Sequence, residues 1–169
     1  MTIVDIFEII ENALENDTAL QTWCEENYGT DNFSIIFGLD EENPPELQTD
    51  LAVLIIPGAR SRTRQFAYRS HVLRLQAFVK MPKPKQETSE NENQSSNLQT
   101  DEAEVSEIMD GLGKVDAFIS LIEECVITSL NKSGVIVTPM EGEPDAIKYP
   151  YSAAELSFLI EIPSRLPIN

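Results

Sequence analysis

The side chains able to do covalent or metal chemistry are few, and they stand apart. His71 is the only histidine, with no acid within fifteen residues on either side, and reads as an ordinary strand residue rather than a metal ligand or a pH-sensitive contact. Cys24 and Cys125 lie about a hundred positions apart, each on a stretch that reads as helix. That fits neither a disulfide framework nor paired metal ligands, so buried free thiols are expected. The runs Asp40-Glu41-Glu42 and Glu123-Glu124 carry the oxygen that Mg²⁺ or Ca²⁺ prefers. Neither has the spacing of a dedicated loop, and both read as solvated acidic surface. Gly111-Leu112-Gly113-Lys114 lacks the preceding strand and the spacing of a phosphate loop. The residues therefore single out no catalytic, cofactor-binding or metal site, and no cofactor.

What the chain has instead is a separation of charge. Residues 51–86 hold no acid and eight of the twelve Lys+Arg, while the other positions hold all 29 Asp+Glu. The segment is about +8 and the remainder about −25, a contrast hidden in the net −17. Opposite fields on one small surface bring partners together in register. Arg60, Arg62 and Arg64 are spaced by two just after Pro57-Gly58, so in an extended arm all three point to one side; Arg69 and Arg74 continue beyond it. These five arginines are the candidate residues for docking on an acidic subunit or partner, because the planar guanidinium pairs with a carboxylate through two bonds. The competing reading is a strand edge kept positive to discourage open-ended pairing. A third, phosphate contact with DNA through the same arginines, is disfavoured by the acidic remainder, and DNA contact is not expected.

The arginines need a scaffold, and hydrophobic periodicity supplies its outline. Ile3, Ile6, Phe7, Ile10, Ala13 and Leu14 recur at helical spacing and predict an amphipathic helix over 2–16. Asp17 or Thr18 can cap a second short helix, with Gln21 completing a capping box and Trp23 and Cys24 on the buried face, ending near Gly29. Residues 33–39 and 51–56 predict strands, the second a continuous apolar run closed by Pro57-Gly58. Residues 65–79 alternate, with Leu73, Leu75, Ala77 and Val79 on one face and Arg74, Gln76 and Phe78 on the other. The polar run 86–100 cannot bury enough apolar area to offset its ordering entropy and reads as a flexible loop within about 82–101. Val105, Ile108, Met109, Leu112, Val115, Ile119, Ile122 and Val126 then form the stripe of a helix from Asp101 to about Leu130, with a break or kink possible at Gly111 and Gly113. A strand over 135–137, a turn-rich connection over 139–150 and a strand over 154–162 close the chain.

At 169 residues and 41% apolar, the chain suits one core, and a single domain over 1–169 is expected. Without an apolar run of 18 residues and with Asp5, Glu8 and Glu11 in its first helix, it reads as soluble and intracellular, with no membrane partner. The predicted class is α+β: a mostly antiparallel sheet of about five strands with two main helices packed on one face.

In its order of elements the chain resembles the tail terminator (tail completion) proteins of long-tailed bacteriophages and prophages, the lambda-type minor tail proteins. Four stretches carry the resemblance: the first helix from Ile3 to Leu14; Pro45-Glu46-Leu47-Gln48-Thr49-Asp50-Leu51-Ala52-Val53-Leu54; the strand from His71 to Val79 ending in Met81-Pro82; and the closing segment from Tyr149 to Ile162. The resemblance implies a homo-oligomeric ring of six subunits that caps the tail tube, stops its growth and meets the head-tail connector. It further implies a structural protein, not an enzyme, located in the virion tail and assembled in the bacterial host cytoplasm. The polar run 86–100 is longer than the family's usual link between strand and helix, which leaves a related tail or neck protein with the same core as an alternative. Outside that family, the alternative is a small intracellular enzyme or regulatory module with a pocket between helix and sheet.

Overall fold

Thr2 opens the first helix with a capping box: its hydroxyl accepts from the Asp5 amide at 3.3 Å, and the Asp5 carboxylate accepts from the Thr2 amide at 2.6 Å. That helix, α1, is Ile3–Glu15, and Ile6, Ile10 and Leu14 form its buried stripe. The computed structural model describes residues 1–38, 47, 49–61, 68–81, 97–140, 146–148 and 150–163; at 59–61, 68, 97–108, 146–148 and 163 the description is of backbone alone. Asp17 caps α2, Thr18–Tyr28, its Oδ1 accepting from the amides of Ala19 and Leu20 at 2.9 Å. The expected Thr18 and Gln21 capping box does not form, because the Gln21 side chain donates to the Glu15 carbonyl at 2.7 Å. Gly29 ends α2 in the left-handed region, φ 66°, where a residue without Cβ is unstrained.

Six strands follow the helices' lead into one sheet: β1 (Ser34–Phe37), β2 (Leu51–Ser61), β3 (Tyr68–Lys80), β4 (Ile136–Met140), β5 (Ala146–Lys148) and β6 (Tyr151–Pro163). The order is β1-β2-β3-β6-β4, with β5 paired to the start of β6; β1 runs parallel to β2 and every other pairing is antiparallel. The α3 helix, Asn97–Lys132, lies between β3 and β4 in the chain. The class is α+β and the sheet mostly antiparallel, as expected, with one parallel pair, and the predicted short second helix is present as α2.

Register explains the core. Val53, Ala77 and Ala154 form one cross-strand row over β2, β3 and β6, and Ile55, Leu75 and Leu156 the next, so the middle of that face of the three central strands is apolar. That face joins Ile6, Ile10, Leu14, Leu20, Phe118, Ile122 and Val126 from the helices in a single core cluster. Ala52, Leu54 and Ile56 on the opposite face of β2 are buried as well, as expected of the one strand with a continuous apolar run. Phe78, the apolar residue among polar neighbours in the β3 alternation, is half-buried on that second face.

Several boundaries differ from expectation for identifiable reasons. β2 does not stop at Pro57-Gly58 but continues to Ser61, through a register shift between Pro57 and Arg60; a bulge accommodates the proline's missing N–H. A Cβ on Gly58 would lie 3.0 Å from the Val72 Cβ, so the crossing strands need glycine there. β4 extends to Met140 through Pro139 because it has only β6 as a neighbour, and a proline is tolerated on an edge strand. β5 lies within the stretch read as turns. α3 begins at Asn97 rather than Asp101 and runs unbroken through both glycines; positions 82–96 of the expected loop lie outside the described residues. Met109 leaves the predicted stripe and is 64% exposed, while Phe118, absent from that stripe, is fully buried.

Candidate assembly surface

The acid-free segment folds into the β2–β3 pair, and β3 in turn pairs along its whole length with β6. Arg60 sits opposite His71 in the register; its side chain lies outside the described residues, as do Arg62 and Arg64 entirely. Arg69 stands opposite Ile162, and Arg74 lies between Ile56 and Ser157. Both are exposed. Five positions apart in a strand, they face opposite sides of the sheet, so the candidate arginines do not form one continuous row. Among the described residues neither is in an ion pair, whereas Lys80 at the foot of the hairpin is held at 2.7 Å by Asp50. The basic segment is therefore divided: Lys80 is tied to its own subunit, and Arg69 and Arg74 are presented to solvent.

The complementary field lies on the helices. Residues 1–50 contain thirteen acids and no lysine, arginine or histidine, so α1 and α2 carry no basic side chain at all. Glu8 and Glu15 on α1, Glu25 and Glu26 on α2, and Asp110, Asp116 and Glu124 on α3 are exposed. Among the described residues, the ion pairs are Lys80 with Asp50, Lys114 with Asp110 at 2.9 Å, and the terminal ammonium with Asp5 at 3.8 Å. Solvent-exposed pairs of this kind are screened by water and add little to stability, and most of the described helical acids have none. This base-free stretch is the counterpart that the sequence reading missed, and a count of bases over 1–50 would have exposed it.

Where α1 meets α2, a cleft of about 430 Å³ opens against α3, lined among others by Ala13, Asn16, Asp17, Leu121, Glu124, Cys125 and Lys132. Its cysteine is not a nucleophile in waiting. Burial, with Asp17 adding to it, pushes the Cys125 thiol up to about 12 from an ordinary 9.0, and burial with Asp31 pushes Cys24 up to about 11. Both are free and buried, as expected. Tyr28 is likewise pushed up to about 12, by burial first and then by Asp110 and Asp50; its hydroxyl donates to the Lys80 carbonyl at 3.3 Å. Among the described residues no three His, Cys, Asp or Glu side chains are grouped to hold a metal ion. Asp40, Glu41 and Glu42 lie outside those residues.

These three groups fix the sign of an alkaline pH dependence. Each is protonated in the fold to a higher pH than in the unfolded chain, so their contribution is fully present below about pH 9 and is lost as pH rises from about 9 to 12. Melting temperature should fall across that window, and Cys24→Ala should make the fall shallower at its lower end. Native protein at pH 8 should also leave both thiols unmodified by a thiol reagent until denaturant is added. Rapid labelling of either would contradict the burial.

Four exposed apolar side chains mark the margins of the sheet and α1: Phe37 on β1, Ile136 and Met140 on β4, and Val4 on α1. β1 and β4 are the two ends of the strand order. Among the described residues no helix is long and apolar enough to cross a membrane. No protein-family model and no curated protein matches the chain.

Proposed function

We propose that the chain is a structural subunit of a phage or prophage tail: a ring-forming terminator that caps the tail tube, meets the head-tail connector and works without an active site. One observation carries this reading. The acid-free segment is one pair of strands with Arg69 and Arg74 exposed, while the first fifty residues, which include α1 and α2, have no base. Two such fields on one chain allow head-to-tail contacts between identical subunits, and head-to-tail contacts close into rings when the rotation permits. The resemblance in element order to tail terminators supplies the type of ring, six subunits, and the setting, a virion tail assembled in the host cytoplasm. An enzyme with a pocket between helix and sheet gains no support from the cleft, which lies among the helices and whose thiol is held protonated.

Sizing with light scattering should give a species near six times 18.9 kDa, or a monomer that converts to it at high concentration. Changing Arg60, Arg62 and Arg64 together to Glu should leave a folded monomer that no longer assembles. A strict monomer under all conditions would overturn the ring, and normal assembly of the triple variant would remove those three arginines from the contact.

A further inference from the structure

We propose that the cleft at the α1–α2 junction is the receiving site for Arg69 of a second copy of this chain. The inference rests on the ring reading above and names the two halves of one contact. Arg69 is the second residue of β3, close to the far end of the hairpin, and is exposed without an ion pair among the described residues. Arg74 is in the middle of the strand, flanked on both sides by paired strands at Ile56 and Ser157, and is not at a tip of the sheet.

The cleft suits an arginine in shape and charge. Ala13 and Leu121 give an apolar wall for its methylene stem, which long cationic side chains bury readily. Asn16, Asp17 and Glu124 offer oxygen acceptors to the guanidinium, which forms two parallel bonds with a carboxylate. Lys132 also lines the cleft and is the only base among its lining residues; α1 and α2 supply none. The two helices that meet at the cleft carry six acids, Asp5, Glu8, Glu11, Glu15, Glu25 and Glu26, and no base, and a field of that sign steers a basic arm toward them and repels another helical face. The contact joins unlike surfaces, so each copy gives one hairpin and receives one.

That asymmetry provides the test. The helix-face variant Asp17→Asn/Glu124→Arg keeps the α2 cap, since Asn and Asp cap equally well, and reverses charge only at an exposed position. The hairpin variant is Arg69→Ala, which removes the cation without supplying an anion that could pair with the reversed cleft. Each alone should raise the concentration for half-assembly at least tenfold by light scattering, with unchanged melting temperature; Arg74→Glu should shift it less than threefold. Mixed one to one, the two variants should form a species of twice 18.9 kDa and nothing larger, because the intact hairpin of one fits the intact cleft of the other. If wild type forms a ring and the helix-face variant assembles like it, the cleft assignment is overturned while the ring stands. If wild type never assembles, both fall.

Discussion

Phe118→Ala is expected to lower the free energy of unfolding by about 3–5 kcal/mol, the range for removing a buried aromatic ring from a packed core. Phe118 is fully buried in α3, stacked on Trp23 of α2 with ring centroids 5.2 Å apart and met edge-on by Phe33 at 5.7 Å. It therefore joins three parts of the chain: the long helix, the short second helix and the lead into β1. Truncation leaves a cavity that none of the three can fill, since each is anchored elsewhere by its own core residues, and it removes two aromatic pairs worth about 0.5–1.5 kcal/mol each beyond area burial. Against a typical domain stability of about 5–15 kcal/mol, the loss is a large fraction. Trp23 is the only tryptophan and reports the change directly. Its emission should follow a urea transition shifted to a lower midpoint with an unchanged slope. A loss under 1 kcal/mol would mean that the three rings are not packed together as described.

The same residue shows what periodicity could and could not reveal. The α3 stripe contained Val115, Ile119, Ile122 and Val126, all buried, because spacing of three and four residues identifies one helical face. Phe118 belongs to that face by angle, but the stripe was already continuous without it, and Met109 was assigned to a face it does not share. Strand alternation was more informative: Leu73, Leu75, Ala77 and Val79 are all fully buried, since a period of two leaves no choice of side. What could not be read was partnership. Pro57 looked like a strand end because a proline breaks a regular ladder, and only the register against β3 reveals the bulge that carries β2 past it. Likewise the parallel pairing of β1 with β2 depends on how the chain crosses between them, which no local pattern encodes. For the candidate surface, the charge asymmetry was plain in composition. The opposite facing of Arg69 and Arg74 required the strand's limits, and the cleft beside the acidic stretch required knowing which helices lie side by side.

Gly111 and Gly113 offer the clearest separation of local from tertiary cost. Judged by helix propensity alone they are equal, each about 1 kcal/mol worse than alanine. Among the described residues a Cβ on Gly113 meets nothing within 4 Å, whereas one on Gly111 would stand 2.8 Å from the Ser152 hydroxyl and 2.9 Å from Cγ of Met81. Gly113→Ala should therefore stabilise the protein by roughly 0.5–1 kcal/mol. Gly111→Val should destabilise it by about 1–3 kcal/mol, the usual cost of overpacking a filled interior. Met81 can shift its flexible chain, but Ser152 belongs to β6, paired on one side with Val79 and on the other with Ile147, and cannot retreat. Ser152 is itself fully buried, and its hydroxyl has no hydrogen-bond partner among the described residues, an arrangement that costs about 1–3 kcal/mol when a polar group is left unsatisfied. Ser152→Ala should accordingly be neutral or stabilising, and it should also remove the nearer of the two clashes. In a double-mutant cycle of Gly111→Ala with Ser152→Ala, the pair should be more stable than the sum of the single changes by at least 0.5 kcal/mol, the coupling expected of residues in contact. Strict additivity would mean that α3 does not approach β6 this closely, and that Gly111 is placed there for no reason of packing.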